Sequence, residues 1–270
     1  MDNLEERGLG ALPPKIDVRD YKVAGAAVDT TALPKSFSLN PIMSIKSQGS
    51  VSSCVAHAVS SILEYHARAE HKLSTNFIYG AQFPLFNRDG KGMFLRDACK
   101  IVKDYGTPLE ADCPGNFEVR ACYDDAEAAL NNEEIMKVAL RFRIKSYVNL
   151  DSDKEIKYAI MNYGPVLASV KWYKDTVVRS GVMDSKLDGD YGYHAIVLYG
   201  WNEKGFLMQN SWGKFWGDNG RAILPYNYGI CEAKALVDDE RDDIVVPKRN
   251  KFIDFLYRVL NYVLNLFYKR

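Results

Sequence analysis

The stretch SQGSVSSCVAHA, residues 47–58, places one cysteine where a run of small polar residues gives way to an apolar, helix-like pattern. From Cys54 onward, apolar residues recur at spacings of three and four, which predicts an amphipathic helix over residues 54–69 with Ser52 or Ser53 as its N-cap. Cys54 therefore lies in the first turn of that helix. A thiolate is stabilised there, because the unpaired N–H groups of a helix N-terminus carry partial positive charge. The stretch fits either a buried structural cysteine or a reactive one.

A reactive cysteine needs a histidine that faces it from another element, and His194 meets this condition best. His194 opens the run HAIVLYGW after the stretch DGDYGY, so we expect it at the lip of a strand facing a cleft. His57 lies three residues along the same helix as Cys54 and is predicted to be a structural histidine. Asn210, within QNSWGKFWG, can accept the ring N–H of a histidine through its amide carbonyl. Together these residues predict a nucleophile, a base and an orienting group.

Composition excludes several classes of function. The 270 residues contain 35 basic and 35 acidic side chains, so no net charge favours nucleic-acid binding. A nucleic-acid partner is not expected. The five Cys and four His are scattered without metal-ligand spacing, so no metal site is expected either. The first residues contain no apolar core of signal-peptide length, which favours an intracellular location.

The order of patterns along the chain predicts the fold class. Helical patterns occur early, over residues 54–69, 94–104 and 153–163, and β-rich runs dominate the second half. Helices first and strands later indicate an α+β chain of two lobes. The predicted strands lie within VALRFRIKSYVNL (138–150), PVLASVKW (165–172), YHAIVLYGW (193–201), KGFLMQNSW (204–212) and GRAILPY (220–226).

The segments QGSVSSCVAHA, YHAIVLYGW and QNSWGKFWGDNGRAIL resemble the papain-like cysteine peptidases, whose motifs run QG, GSCW, a His before small apolar residues, and NSWG.WG.NG. His194 and Asn210 follow Cys54 by 140 and 156 residues, close to the roughly 130–150 residues of that family. The resemblance covers residues 33–236. It implies a two-lobed α+β fold with a mainly helical left lobe, an antiparallel β-barrel-like right lobe, and the active site in the cleft between them.

The resemblance also implies a role for each matching residue. Cys54 is the nucleophile, His194 the general base and acid, Asn210 the orienting group, and Gln48 an oxyanion donor six residues before the nucleophile. The implied activity is an endopeptidase acting on protein or peptide substrates, with no metal or organic cofactor.

A pocket for the second substrate residue before the cut follows from the same resemblance. Most of its positions are apolar, so an aliphatic or aromatic substrate residue is expected there, and a tryptophan shields the His–Asn pair from water. The implied substrate-binding residues are Met93, Phe94, Leu95, Ser169, Ala195, Trp212 and Leu236.

This chain departs from the family pattern at several positions. Val55 stands where Trp usually follows the nucleophile, and Val51 where a cysteine is common. No cysteine stands shortly before His194 to pair with Cys231. With Val51 in place of the other usual cysteine, two of the family's usual disulfides cannot form. The usual long propeptide is expected to be absent, which leaves only the residues before Leu33.

We expect four segments: an N-terminal arm (1–33), a peptidase domain (34–237), an acidic linker (238–247) and a basic amphipathic helix (248–270). The arm, with its Gly, Ala and Pro, is predicted to be extended, and it either covers the cleft as a short propeptide or is a merely packed or disordered terminus. The C-terminal helix is predicted to lie on an anionic membrane surface. Its alternatives are docking onto the peptidase body and pairing of two chains.

Two further hypotheses remain open at this level. The fold could be a catalytically silent binding protein whose C-terminal helix docks on a membrane or a partner. The chain could also be another Cys–His enzyme, such as a transglutaminase-like or deubiquitinating one, or a peptide ligase using the same chemistry. The full Gln–Cys–His–Asn–Trp set and the NSWG block favour an active peptidase.

Overall fold

The structure is a computed structural model that describes residues 8–15, 33–40, 43–68, 70–89, 91–115 and 118–238. The predicted C-terminal helix (248–270), nearly all of the predicted linker, and residues 1–7 and 16–32 of the arm lie outside the described residues. Among the helices that are described, none is long and apolar enough to cross a bilayer.

The helices of the described residues lie mostly in the first half of the chain. They are α1 Cys54–His66, α2 Thr75–Gly80, α3 Gln82–Phe86, α4 Leu95–Asp104, α5 Val119–Leu130, α6 Glu133–Ala139 and α7 Asp153–Tyr163.

The strands form one nine-stranded sheet in the order β2-β9-β3-β6-β7-β8-β5-β4, with β1 paired to β6. They are β1 Phe37–Ser38, β2 Ser146–Asn149, β3 Val166–Tyr173, β4 Val177–Arg179, β5 Val182–Asp184, β6 Tyr191–Asn202, β7 Gly205–Gln209, β8 Arg221–Pro225 and β9 Glu232–Val237. The predicted two-lobed α+β class is confirmed. In place of a closed antiparallel barrel, the described strands follow an open path, and β5 pairs with β8 in parallel.

Strand β3 lies at the centre of the sheet, between β9 and β6. Its residues are almost all buried, as expected of a strand covered on both faces. The register with β6 sets Val170 opposite His194 and Ser169 opposite Ala195. The first residues of β6 are thereby fixed relative to the sheet core.

Helix α1 links the two lobes. It contacts α2 and α4 on the helical side and β3 and β6 on the sheet side. Every residue from Cys54 to Glu64 is buried, as expected of a helix with neighbours around its whole circumference. The buried Glu64 pairs with Lys46 at 2.7 Å and accepts hydrogen bonds from Ser44 Oγ and Leu73 N. This network ties the loop of residues 43–48 to α1.

One predicted strand is wrong in its first half. Residues 138–150 were expected to be β-rich, but Val138 and Ala139 end α6, a short 3-10 helix follows, and only Ser146–Asn149 are extended. The reason is the start of α6, where the Asn132 side chain accepts hydrogen bonds from the amides of Glu134 and Ile135. The helices predicted at 94–104 and 153–163 match α4 and α7 to within one residue.

Candidate active site

Cys54 is the first residue of α1, and Ser53 is its N-cap. The backbone N–H of Ala195, on β6, donates to Cys54 Sγ at 3.4 Å. His57 bonds within its own helix, because its Nδ1 lies 3.0 Å from the carbonyl oxygen of Ser53 and must donate to it. The helix N-terminus and the start of β6 therefore meet at the thiol, while His57 is held by Ser53.

His194 and Asn210 form a hydrogen bond of 2.7 Å between the ring Nε2 and the amide Oδ1. The same Oδ1 accepts the backbone N–H of Ser211 at 2.7 Å, which fixes the amide orientation, since an NH2 group could not accept it. Nε2 therefore carries the ring proton, and Nδ1 is the bare nitrogen. Among the described residues Nδ1 has no hydrogen-bond partner. This tautomer can take a proton at Nδ1.

Gln48 lies on the loop that Lys46 and Glu64 tie to α1, and its side chain is buried. Its Nε2 donates to the carbonyl oxygens of Gly8 and Val51, each at 2.7 Å, and its Oε1 accepts the Ser211 hydroxyl at 2.6 Å. The backbone N–H of Gln48 also donates to Ser211 O at 2.9 Å. The Gln48 amide and the His194–Asn210 pair are thus assembled through one residue, Ser211.

Residues 8–12 of the arm lie across this site. Ala11 forms a parallel bridge with Met93. The hydrogen bonds are Gly8 N to Gly49 O (3.3 Å), Gln48 Nε2 to Gly8 O (2.7 Å), Met93 N to Gly10 O (2.8 Å), Ala11 N to Tyr193 O (3.2 Å) and Leu12 N to Met93 O (3.0 Å). With the arm in place, Cys54 and His194 are fully buried.

Glycines on the arm allow it to come this close. A Cβ on Gly8 would lie 2.4 Å from the carbonyl oxygen of Val51, and one on Gly10 would lie 2.1 Å from that of Ser52. On the body, a Cβ on Gly192 would lie 2.6 Å from the Leu9 side chain. Side chains at these positions would collide with backbone or with the arm, so the GLG sequence of residues 8–10 fits the cleft because it lacks Cβ atoms there.

Burial governs the ionisation of the site. It raises the pKa of the Cys54 thiol to about 11, although the backbone N–H groups of Ala195, Gly10, Val55 and Ala11 lower it in part. Burial also lowers the pKa of His194 to about 4, against an opposing contribution from its hydrogen bond to Asn210. Near neutral pH the covered site therefore holds a thiol and a neutral imidazole, which is the unreactive protonation state.

The two buried histidines predict a loss of stability in acid. Burial lowers the pKa of His57, like that of His194, to about 4, whereas an unfolded histidine titrates near 6.5. The unfolded chain therefore binds protons first as pH falls below ~6.5, and each histidine costs up to about 1.4 kcal/mol per pH unit. Urea unfolding between pH 6.5 and 5 should show that the free energy of unfolding decreases as the pH is lowered. His57→Asn should roughly halve that slope, and an unchanged slope would contradict the assignment.

The residues expected around a substrate pocket are only partly brought together. Ser169 and Ala195 are direct cross-strand partners, and Met93 meets the arm. Leu236 lies four residues, or about 13 Å, along β9 from Glu232, the cross-strand partner of Ser169. The contribution of Leu236 to the same pocket is therefore not supported by the register.

The remaining pocket positions are at the helical side and at the His–Asn pair. Leu95 is buried, and Phe94 is half-buried with Lys15 Nζ of the arm 4.4 Å from its ring centroid. The Trp212 ring lies 4.7 Å from that of His194, where it covers the imidazole. The described residues contain no group of three or more His, Cys, Asp or Glu side chains that could hold a metal.

Sequence reasoning missed two contributors to this site. Ser211 bonds both Gln48 and Asn210, a role that its place in the NSWG block alone does not indicate. The sequence pattern predicts only that Trp172 lies on a strand, but its ring packs against the His194 ring at a centroid distance of 5.1 Å. The close fit of the arm depends on Gly8 and Gly10, which belong to the Gly-, Ala- and Pro-containing segment that predicts an extended arm.

Comparisons with known proteins identify the family. Residues 29–237 match the model for the papain family of cysteine proteases, so the chain belongs to that family. The match favours a peptidase over a silent binding protein.

Individual relatives are distant. An uncharacterized peptidase C1-like protein of Acanthamoeba polyphaga mimivirus is 27% identical over 79% of this chain and 75% of its own length. A cathepsin L-like proteinase of Fasciola hepatica is 23% identical over 72% of this chain and 60%, less than two thirds, of its own length. Among solved structures, xylellain, a cysteine protease from Xylella fastidiosa, superimposes with a TM-score of 0.74 at 21% identity, over 87% of this chain and 98% of that one.

Proposed function

We propose that this protein is a cysteine endopeptidase whose own N-terminal arm covers its active site. One observation carries the proposal: Cys54, at the N-terminus of α1, accepts a hydrogen bond from Ala195, the residue after His194, whose ring is oriented by Asn210. A nucleophile, a base with a bare nitrogen and an orienting amide thus converge from three elements.

The proposed reaction begins when His194 Nδ1 takes the proton of the Cys54 thiol. The thiolate attacks the carbonyl carbon of a peptide bond, and the Gln48 amide and the Cys54 backbone N–H stabilise the developing oxyanion. The His194 imidazolium then protonates the leaving amine, which leaves a thioester on Cys54. A water molecule that loses its proton to His194 hydrolyses the thioester, and the thiol is regenerated as His194 returns that proton.

The direction of the arm supports a covering role without cleavage. In the proposed substrate orientation, the attacked carbonyl faces the Gln48 amide and the residues before it lie along Met93. In the arm, the Gly8 carbonyl accepts from Gln48, but Ala11 and Leu12, which follow Gly8, lie along Met93. The arm therefore runs opposite to the proposed substrate, with the Gly8 carbonyl on the Gln48 amide but the chain reversed along Met93.

Substrate preference is proposed from the apolar side chains near Met93. Met93, Leu95 and Ala195 are buried and carry no charge, so an aliphatic or aromatic side chain two residues before the cut fits this region best. A charged side chain there would lose hydration without gaining a partner.

Active-site labelling tests the proposal. A chain that begins at Leu33 is treated with a peptidyl epoxide carrying leucine in place of the second residue before the cut, and the alkylated peptide is mapped. We expect Cys54 to be labelled and the other four cysteines to be unmodified. An epoxide with aspartate at that position should react at least about tenfold more slowly.

Cys231 supplies an internal control for this experiment, since it is free and only half-buried. The variant His194→Ala should lose the Cys54 label, because the thiol then has no base. Alkylation of Cys231 in preference to Cys54, or equal labelling with and without His194, would sink the catalytic assignment. Equal rates for the two epoxides would sink the apolar preference alone.

A further inference from the structure

The imidazole of His194 is enclosed by indole rings from two different parts of the sheet lobe. Trp212 lies at a ring-centroid distance of 4.7 Å with planes 35° apart, and Trp172 at 5.1 Å with planes 78° apart. The two indoles also contact each other, at 4.7 Å. Trp216 closes the group, 5.9 Å from Trp172 and 5.8 Å from Trp212.

The sheet register explains how Trp172 reaches the histidine. Val170 lies directly opposite His194, and Trp172 lies opposite Gly192, so Trp172 is the diagonal cross-strand neighbour of His194 on the same face. Gly192 has no side chain, so none competes with the indole for that face. The Trp172 side chain is 2% exposed, which leaves no path for water between it and the histidine.

Trp172 has no polar anchor that would account for its burial. Its Nε1 lies buried without a hydrogen-bond partner among the described residues, which costs free energy in any protein core. Trp201, a tryptophan of similar burial on β6, donates its Nε1 to the carbonyl oxygen of Pro34. Trp172 is thus held by packing within the apolar core of the sheet lobe. The rings it packs on include those of His194, Trp212 and Trp216.

We propose that Trp172 is a positioning residue for His194, which together with Trp212 holds the imidazole in the plane where Nε2 meets Asn210 and excludes water from it. Only the expected effect of Trp172 on kcat rests on the proposed function; the positioning of His194 does not. The nearby titratable groups are the His57 imidazole, which interacts electrostatically with His194, and the Cys54 thiol, which bonds the next residue, Ala195; both are on α1. The indole acts by packing and by exclusion of water, not by charge.

The first test does not depend on catalysis. The full chain is labelled with 13C-histidine, and the pKa of each of the four histidines is measured by NMR, with His194 assigned from His194→Asn. Trp172→Leu should raise the pKa of His194 by one unit or more, because water then reaches the ring and stabilises the imidazolium. Trp172→Phe, which keeps one aromatic ring, should raise it by about 0.3 to 0.5 units.

Trp201→Leu is the matched control, because it removes a buried indole of the same sheet that does not contact His194. It should lower stability without moving the pKa of His194. No shift in Trp172→Leu, a downward shift, or an equal shift in Trp201→Leu overturns the proposal. If Trp172→Leu fails to fold, the absence of any upward shift in Trp172→Phe overturns it.

The second test measures hydrolysis in the Gly10→Val full chain, where the arm is expected to leave the cleft. Trp172→Leu should lower kcat about tenfold with KM within twofold, since the base is misplaced while substrate contacts persist. Trp172→Phe should retain at least a third of kcat. A rise in KM at constant kcat would assign Trp172 to substrate binding and overturn the positioning role. If no variant hydrolyses peptides but the NMR shifts appear, the proposed function fails and the positioning of His194 stands.

Discussion

Replacing Gly10 by valine in the full chain is expected to raise the rate of peptide hydrolysis at least ~100-fold. Five hydrogen bonds hold residues 8–12 across the cleft. At ~1 kcal/mol net for each, losing about three of them would shift the balance between covered and open cleft ~100-fold. A Cβ on Gly10 would lie 2.1 Å from the Ser52 carbonyl oxygen and 2.3 Å from the Ser52 carbonyl carbon. Valine therefore cannot be accommodated at this position while the arm covers the cleft. Initial rates on a fluorogenic peptide, with active sites titrated, give the ratio.

Gly115→Val is the matched control, because a Cβ there meets nothing within 4 Å. That variant should hydrolyse the peptide at the rate of the unchanged chain. The alkylation rate of Cys54 by iodoacetamide gives an independent readout, and its rise with pH should move to lower pH in Gly10→Val, as solvent returns to the thiol. Equal hydrolysis by the unchanged chain, Gly10→Val and a chain beginning at Leu33 would show that the arm does not inhibit.

Elements encoded by local pattern could be predicted from the sequence. The periodicity after Cys54 and the N-cap serine predict α1, and the Gly164–Pro165 pair marks the end of α7. The convergence of Cys54, His194 and Asn210 was predicted from a motif in which each residue type has a chemical reason to be present. In the structure His194 and Asn210 share a hydrogen bond, and Cys54 bonds the residue that follows His194.

Features that depend on long-range pairing were not predictable in the same way. Residues 138–150 contain β-favouring side chains, but helix α6, capped by Asn132, extends through Val138 and Ala139. The position of Leu236 depends on the register of β9 with β3, which no local pattern encodes. Likewise, Trp172 approaches His194 only because β3 and β6 pair with Gly192 opposite the indole.

Removing the nucleophile or the base is expected to have the largest effect of all. In the Gly10→Val chain, Cys54→Ala and His194→Ala should each lower kcat at least ~1,000-fold, because each variant lacks a group without which no acyl-enzyme forms at a useful rate. The double variant should be scarcely slower than either single one, since the two residues act as a unit. Steady-state kinetics on the same fluorogenic peptide, at matched protein concentration and with folding checked by circular dichroism, measures these losses.

His57→Ala distinguishes the assigned base from the histidine nearest in sequence. His57 lies on α1 with Nδ1 bonded to the Ser53 carbonyl, 3.0 Å away, so its protonated nitrogen is committed within the helix. His194 Nδ1 is bare and lies on the strand whose next residue bonds the thiol. We therefore expect His57→Ala to keep at least about half of kcat, with some loss of stability from the cavity it leaves. If His57→Ala silences the protein while His194→Ala does not, the base has been assigned to the wrong histidine.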